Sequence, residues 1–128
     1  MKKFIFLVAL ASIFGCTSIQ TPHEGADQVP AFRIYSNSKK SDAQLVMLLK
    51  PRLGGFCKVS FLIDGRRAAD FHPGEIAYLG ATFGTHLLEV QPVANCTNIK
   101  PSSTTVNMKS GDAVLMVITP SGIDSVSL

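Results

Sequence analysis

The clearest alternation in the chain runs from Cys57 to Asp64. Cys57, Val59, Phe61 and Ile63 fall on one face, and Lys58, Ser60 and Asp64 fall mostly on the other. A period of two marks a half-buried strand. Asp64-Gly65 follows, the pair that a tight hairpin turn wants because Gly accepts positive φ without steric cost. Arg66–Phe71 then returns, His72-Pro73-Gly74 makes a second turn, and Glu75–Leu79 is the next strand. Thr82-Phe83-Gly84 turns the chain again into Thr85–Gln91, where His86, Leu88 and Val90 share a face. Leu45–Leu49 is an unbroken apolar run, which predicts a strand covered on both faces.

Ala31–Ser36, with Phe32, Ile34 and Tyr35, reads as a short strand. Thr104–Lys109, Asp112–Thr119 and Ile123–Leu128 read likewise, with Ser110-Gly111 and Pro120-Ser121-Gly122 as punctuation and Cys96–Ser103 as a loop. Ser41–Leu49 is the nearest helical candidate, but its Val/Leu content and the following Pro51 favour a strand. About eight short strands with frequent turn signals predict an all-β fold, a single small antiparallel β-sandwich of immunoglobulin- or transthyretin-like kind.

The N-terminus follows a different pattern. Met1-Lys2-Lys3 precedes the uncharged, mostly apolar run Phe4–Phe14, then Gly15-Cys16. A basic start, a short apolar core and small residues at its end describe an export signal, and a bilayer span needs about 20 apolar residues. The sequence Ile13-Phe14-Gly15-Cys16 resembles the bacterial lipoprotein box, although Phe14 stands where that family prefers a small residue. The resemblance implies that Cys16 carries a diacylglycerol group and begins the mature chain. Cleavage after Ala9-Leu10-Ala11, releasing a chain that starts at Ser12, is the alternative. Thr17 after Cys16 favours the outer membrane, on its periplasmic face, over the inner one by the family's sorting rule.

The expected organisation is therefore a signal over 1–15, a lipidated cysteine and flexible tether over 16–30, and a sandwich over 31–128. The tether is assigned because Thr17–Pro30 is polar, contains two prolines and a glycine, and has no period. With Cys16 lipidated, Cys57 and Cys96 pair with nothing left over, and an exported domain favours a disulfide over two free thiols.

Loss of the signal also changes the charge. Without Lys2 and Lys3 the mature 113 residues carry ten basic and nine acidic groups, a net of +1. No Lys/Arg cluster exceeds the pairs Lys39-Lys40 and Arg66-Arg67, so the chain lacks the electrostatic footprint for nucleic acid.

Residues 59–90 resemble the small β-sandwich repeat of bacterial envelope proteins named for a Pro-Glu-Gly-Ala motif. The resemblance rests on Ile63-Asp64-Gly65, His72-Pro73-Gly74-Glu75 and Gly84-Thr85-His86-Leu87-Leu88-Glu89-Val90. Phe83 departs from the Pro usual before the second glycine motif. As a whole the chain is similar to short bacterial lipoproteins built on such a PEGA-like domain. These motifs are turn chemistry; they imply a fold and transfer no functional residue.

Candidate chemistry is sparse. His72 and His86 have no metal-ligand spacing, so His86 is expected as a hydrogen-bonded structural residue and His72 as a surface turn residue. Ser110 and Ser121 sit in hairpin turns without a Gly-x-Ser-x-Gly elbow. Asp64, Asp70 and Glu75 cluster in sequence, but turns and solvent account for Asp64 and Asp70. We expect no catalytic residue, metal, cofactor or small-molecule substrate. The expected function is a membrane-anchored envelope lipoprotein that binds or positions another envelope protein. An inhibitor or immunity-type lipoprotein against an incoming enzyme such as a lysozyme is the alternative, as is a type VI secretion lipoprotein. Partner contact is expected at loops, foremost Arg66 and Arg67, with Ser38-Lys39-Lys40-Ser41 as a second basic loop.

Overall fold

The computed structural model describes residues 25–51, 57–93 and 96–126. The expected signal, Cys16 and the first part of the tether lie outside the described residues. Among the described residues there are nine strands: β1 Asp27–Gln28, β2 Ala43–Leu49, β3 Val59–Ile63, β4 Arg66–Phe71, β5 Glu75–Ala81, β6 Gly84–Pro92, β7 Ser102–Met108, β8 Ala113–Thr119 and β9 Gly122–Val126. They form a five-stranded sheet, β1-β5-β2-β8-β9, and a four-stranded sheet, β4-β3-β6-β7, packed as a small sandwich.

Two pairings depart from the expected antiparallel order: β2–β8 and β1–β5 are parallel. Parallel neighbours need a long crossover. The chain between β2 and β8 supplies it by building the whole second sheet, together with β5 of the first.

The alternation in β3 buries Val59, Phe61 and Ile63 as predicted. Phe61 meets Phe71 edge-to-face at 6.3 Å between centroids, a geometry that adds to their area burial. Leu45, Met47 and Leu49 of β2 join them in the core between the sheets. Val46 and Leu48 point the other way and form a second buried cluster with Ile76, Leu115 and Val117. The unbroken apolar run of β2 thus reflects burial on both faces.

Residues 31–36 are not the strand expected. Ala31–Arg33 is a 3-10 turn after Pro30, closed by Arg33 N–H to Pro30 O at 2.9 Å and Ile34 N–H to Ala31 O at 3.1 Å. Only Ile34 bridges a strand, at Ala69. The cause is a bulge. Phe61 opposes Ala69 and Leu62 opposes Arg67, which leaves Ala68 as an extra residue on β4. The Ala68 carbonyl accepts from both Tyr35 N–H and Ser36 N–H, so this segment caps the edge of β4 without forming a ladder.

The ordered domain also begins before residue 31. Asp27 and Gln28 pair with β5, Val29 N–H donates to Ile76 O at 2.9 Å, and Val29 is buried. Residues 27–37 therefore form a strap from the β5 edge to the β4 edge. Its clamp is Arg33, whose two Nη atoms donate to the Glu75 carboxylate at 2.6 and 2.5 Å. Arg33 also reaches the Asp70 carbonyl at 3.1 Å. Burial pushes the Glu75 carboxyl up, but hydrogen bonds from Arg33 and the His72 N–H outweigh it and hold the group below its ordinary value.

The strands define two poles about 20 Å apart. β1 enters at the first, beside the His72–Gly74 turn. The Cys57–Cys96 disulfide lies there too, just outside the ends of the paired strands β3 and β6, with a Cα separation of 5.4 Å. The second pole holds the 37–42 loop and the turns at 64–65, 82–83 and 109–112.

Reduction of the disulfide reopens a closure of 39 residues, which the chain-entropy account rates at about 4 kcal/mol. Urea unfolding with and without reductant should show a loss of that order. Arg33→Met strands the Glu75 carboxylate among buried groups and should cost about 3 kcal/mol. The sign of its pH dependence follows from the lowered Glu75 value. That stability is present above pH 4.5, the ordinary Glu value, and is lost as pH falls through the folded value. In Arg33→Met this acid-side loss should shrink or vanish in unfolding titrations, because without the guanidinium the burial that opposes ionised Glu75 is no longer outweighed.

Candidate functional site

At the second pole the chain opens a cleft of about 470 Å³, lined by residues 37–41 of the loop, Ile63, Asp64 and Arg66 of the β3–β4 hairpin, and Gly80, Thr82 and His86. Each wall has a local cause. Asn37 adopts φ +63°, a left-handed conformation that Asn tolerates better than most residues. Its carbonyl accepts from Gly80 N–H at 2.8 Å and its Nδ2 donates to Gly80 O at 2.9 Å. The loop then lies directly on Gly80: a Cβ there would stand 2.0 Å from the Lys39 carbonyl oxygen. Glycine is therefore required by close approach, and Lys39 and Lys40 are carried over the cleft.

The hairpin wall is the Asp64-Gly65 turn, with φ +52° and +77° at the two central residues, the signature of the hairpin-type turn expected. The Asp64 carboxylate does more than start a turn. Oδ1 accepts Leu87 N–H at 2.9 Å and Oδ2 meets His86 Nδ1 at 2.6 Å. The other ring nitrogen, Nε2, faces the Thr82 carbonyl at 2.8 Å. The ring thus staples the β3–β4 turn to the β5–β6 turn.

Both nitrogens face acceptors, which favours the doubly protonated ring. The Asp64 hydrogen bond first, then the Thr82 carbonyl, raise the His86 pKa against an opposing push from burial. The His86 hydrogen bond and the Leu87 N–H lower that of Asp64. In this arrangement neither ring nitrogen presents a lone pair to a nucleophile, as a general base requires.

The structure separates Arg66 and Arg67. Successive strand residues point to opposite faces. Arg66 lines the cleft, whereas the Arg67 guanidinium sits 4.6 Å from the Tyr35 ring centroid and pairs with Asp70. The bulge at Ala68 is what brings residues 67 and 70 to one face. Asp70 also accepts Ser60 Oγ–H and Tyr35 O–H, each at 2.7 Å. Burial pushes its carboxyl up, but the bonds from Tyr35, Ser60 and Arg67 outweigh this and leave it below its ordinary value.

Arg66 is joined at the cleft by Lys39 and Lys40, residues far away in sequence. Among the described residues no ion pair involves these three cations. Asp64, the cleft's acidic residue, is already partnered by His86. The cleft is therefore net cationic. A second hollow of about 440 Å³ flanks the same lysine loop, bounded by Gln44, Tyr78 and residues 111–113.

The carboxylates grouped in sequence are likewise dispersed: Asp64 belongs to the second pole, Asp70 to the β4 edge and Glu75 to the first pole. His72 is a half-exposed turn residue whose N–H donates to Glu75 at 2.5 Å. Among the described residues no group of three or more His, Cys, Asp or Glu side chains could hold a metal ion.

The His86 staple sets a pH dependence. Because its folded pKa lies above the ordinary 6.5, its contribution is fully present below pH 6.5 and is lost as pH rises through the folded value. Thermal unfolding should show a decline over that interval, and His86→Gln should remove it.

No protein-family model matches the chain, and no curated protein or solved structure matches it. A functional reading therefore rests on the chain's own residues.

Proposed function

We propose that this protein is a lipid-anchored, non-catalytic binding module of the bacterial cell envelope, of PEGA-like kind, that docks an anionic segment of an envelope protein at its cationic cleft. The observation that carries this reading is the polarity of the fold. The chain enters at the first pole through β1, and the cleft opens at the second. With Cys16 lipidated on the outer membrane, the residues between it and Gly25 reach up to about 30 Å when extended. An anchor at one pole leaves the other free for a partner.

The chemistry of the cleft supports a polyanionic face rather than a small substrate. Arg66 offers a planar fork that pairs bidentately with a carboxylate, while Lys39 and Lys40 are mobile point charges suited to steering. The expected Arg66/Arg67 contact is thereby narrowed to Arg66, since Arg67 is engaged by Asp70 and Tyr35.

Two measurements test the proposal. Metabolic labelling with a fatty-acid analogue should mark the wild type and miss Cys16→Ser; an unlabelled wild type beginning at Ser12 refutes the anchor. Photo-crosslinking from position 40 in living cells should trap an envelope protein. Lys39→Glu/Lys40→Glu/Arg66→Glu should reduce that product at least about tenfold, since opposed like charges repel, with little change in thermal stability. Undiminished crosslinking in the triple variant excludes the cleft as the docking site.

A further inference from the structure

Among the described residues the sandwich has four sheet edges, and three of them are protected by pairing, cover or charge. Beyond its ladder with β6, the fourth, β7, is approached only by β9 of the facing sheet, with which it shares no ladder. The β5 edge is covered by β1 at its start and by Asn37 at Gly80. The β4 edge is capped by Tyr35 and Ser36. β9 is short and carries the exposed Asp124. β7 differs: Ser102–Met108 is seven residues long and contains no charge and no proline. Natural proteins blunt free edges with charge, proline, bulges or cover, because unpaired backbone groups invite another strand.

The outward groups of β7 can be identified. Leu87 N–H donates to Asp64 Oδ1 and Leu87 O accepts Asp64 N–H, so the backbone groups of Leu87 point toward the β3 side. Its partner on β7 is Thr105, which therefore stands in a non-hydrogen-bonded pair and turns its own N–H and C=O away from β6. By alternation Ser103 and Asn107 do the same. Their side chains are exposed, while those of Ser102, Thr104 and Val106 are partly covered and Met108 is buried.

We propose that β7 pairs antiparallel with β7 of a second copy, joining two four-stranded sheets about a two-fold axis at Thr105. That axis places Thr105 opposite Thr105 of the partner subunit and Ser103 opposite Asn107 of the partner subunit. Each such pair exchanges two hydrogen bonds, so the outward set 103, 105 and 107 is satisfied by itself. No charge on β7 opposes the pairing, and Lys109 falls opposite Pro101 of the partner subunit rather than a second lysine. Thr and Val are strong strand formers. Interfaces built on one strand pair belong to the small, reversible class.

The cationic clefts open at the second pole over β4, β3 and β6 rather than along the outer edge of β7, so edge pairing leaves both open. The two chains enter at opposite ends of the pair, so on a membrane the dimer lies along the surface with a cleft at each end. The reach of about 30 Å before Gly25 exceeds the length of β7, roughly 20 Å, so both copies can share one surface.

The test uses the purified protein and two variants. Sedimentation should show a reversible monomer–dimer equilibrium between micromolar and millimolar concentration. Thr105→Pro removes an outward N–H that the β6–β7 ladder does not use, so it should abolish the dimer with little loss of thermal stability. Thr105→Cys should form an intermolecular disulfide under mild oxidation, because directly opposed residues of a hydrogen-bonded pair stand about 5.5 Å apart. Thr104→Cys, with its side chain turned inward, should not. A monomer at all concentrations, a dimer that survives Thr105→Pro, or equal trapping from positions 104 and 105 overturns the proposal.

Discussion

The Arg33–Glu75 pair is the contact on which the rest of the arrangement depends. It ties the strap to β5 from the inside of the fold, with both side chains largely withdrawn from water. Glu75 also accepts the His72 N–H, so one carboxylate closes the β4–β5 turn and seats the strap. Such a pair contributes little net stability, because desolvation offsets much of the attraction, but removing one partner leaves a costly buried charge. Its role is therefore geometric. It sets where the chain enters the sandwich and, nine residues after β1, where Asn37 meets Gly80 and the lysine loop begins.

What could be read from the sequence was whatever depends on period and turn chemistry. The alternation of β3, the double burial of β2 and the Asp64-Gly65 turn are local consequences of side-chain order, and the structure reproduces them. So is the hydrogen-bonded state of His86, which followed from a polar ring on an apolar face. Residues 31–36 were misread because Phe32, Ile34 and Tyr35 mimic a strand, whereas Pro30 and the bulge at Ala68 allow only a turn and a single bridge. The bulge itself leaves no mark in the sequence, as Arg-Arg-Ala-Ala-Asp-Phe has no alternation to break. The pairing of Asp64 with His86 could have been found from register, since the Asp64 hairpin places residue 64 beside 87.

The cleft was legible only as fragments. Lys39-Lys40 and Arg66 were visible as separate basic turns, and nothing in their spacing of more than twenty residues says that they converge. Convergence is produced by the strap, a tertiary contact between a 3-10 turn and a buried carboxylate. The apparent Arg66-Arg67 pair carried the opposite error. Adjacent charges suggested one patch, but strand geometry sends one side chain to the cleft and the other to Asp70 and Tyr35.

The two poles are stabilised by different means, and the difference suits a module with an anchor and a docking face. The first pole is closed covalently by Cys57–Cys96 and by the clamp of Arg33. The second holds the left-handed residues Asn37 and Asp64, each stabilised by bonds that fix the backbone rather than the surface cations. Lys39 is held by its carbonyl over Gly80, and among the described residues its amine enters no ion pair. A floor that is already ordered reduces the entropy lost when a partner binds, while free lysine tips keep the long-range attraction that speeds encounter. Rigid backbone under mobile charge is thus what a cationic docking surface needs, and the strap delivers both in one segment.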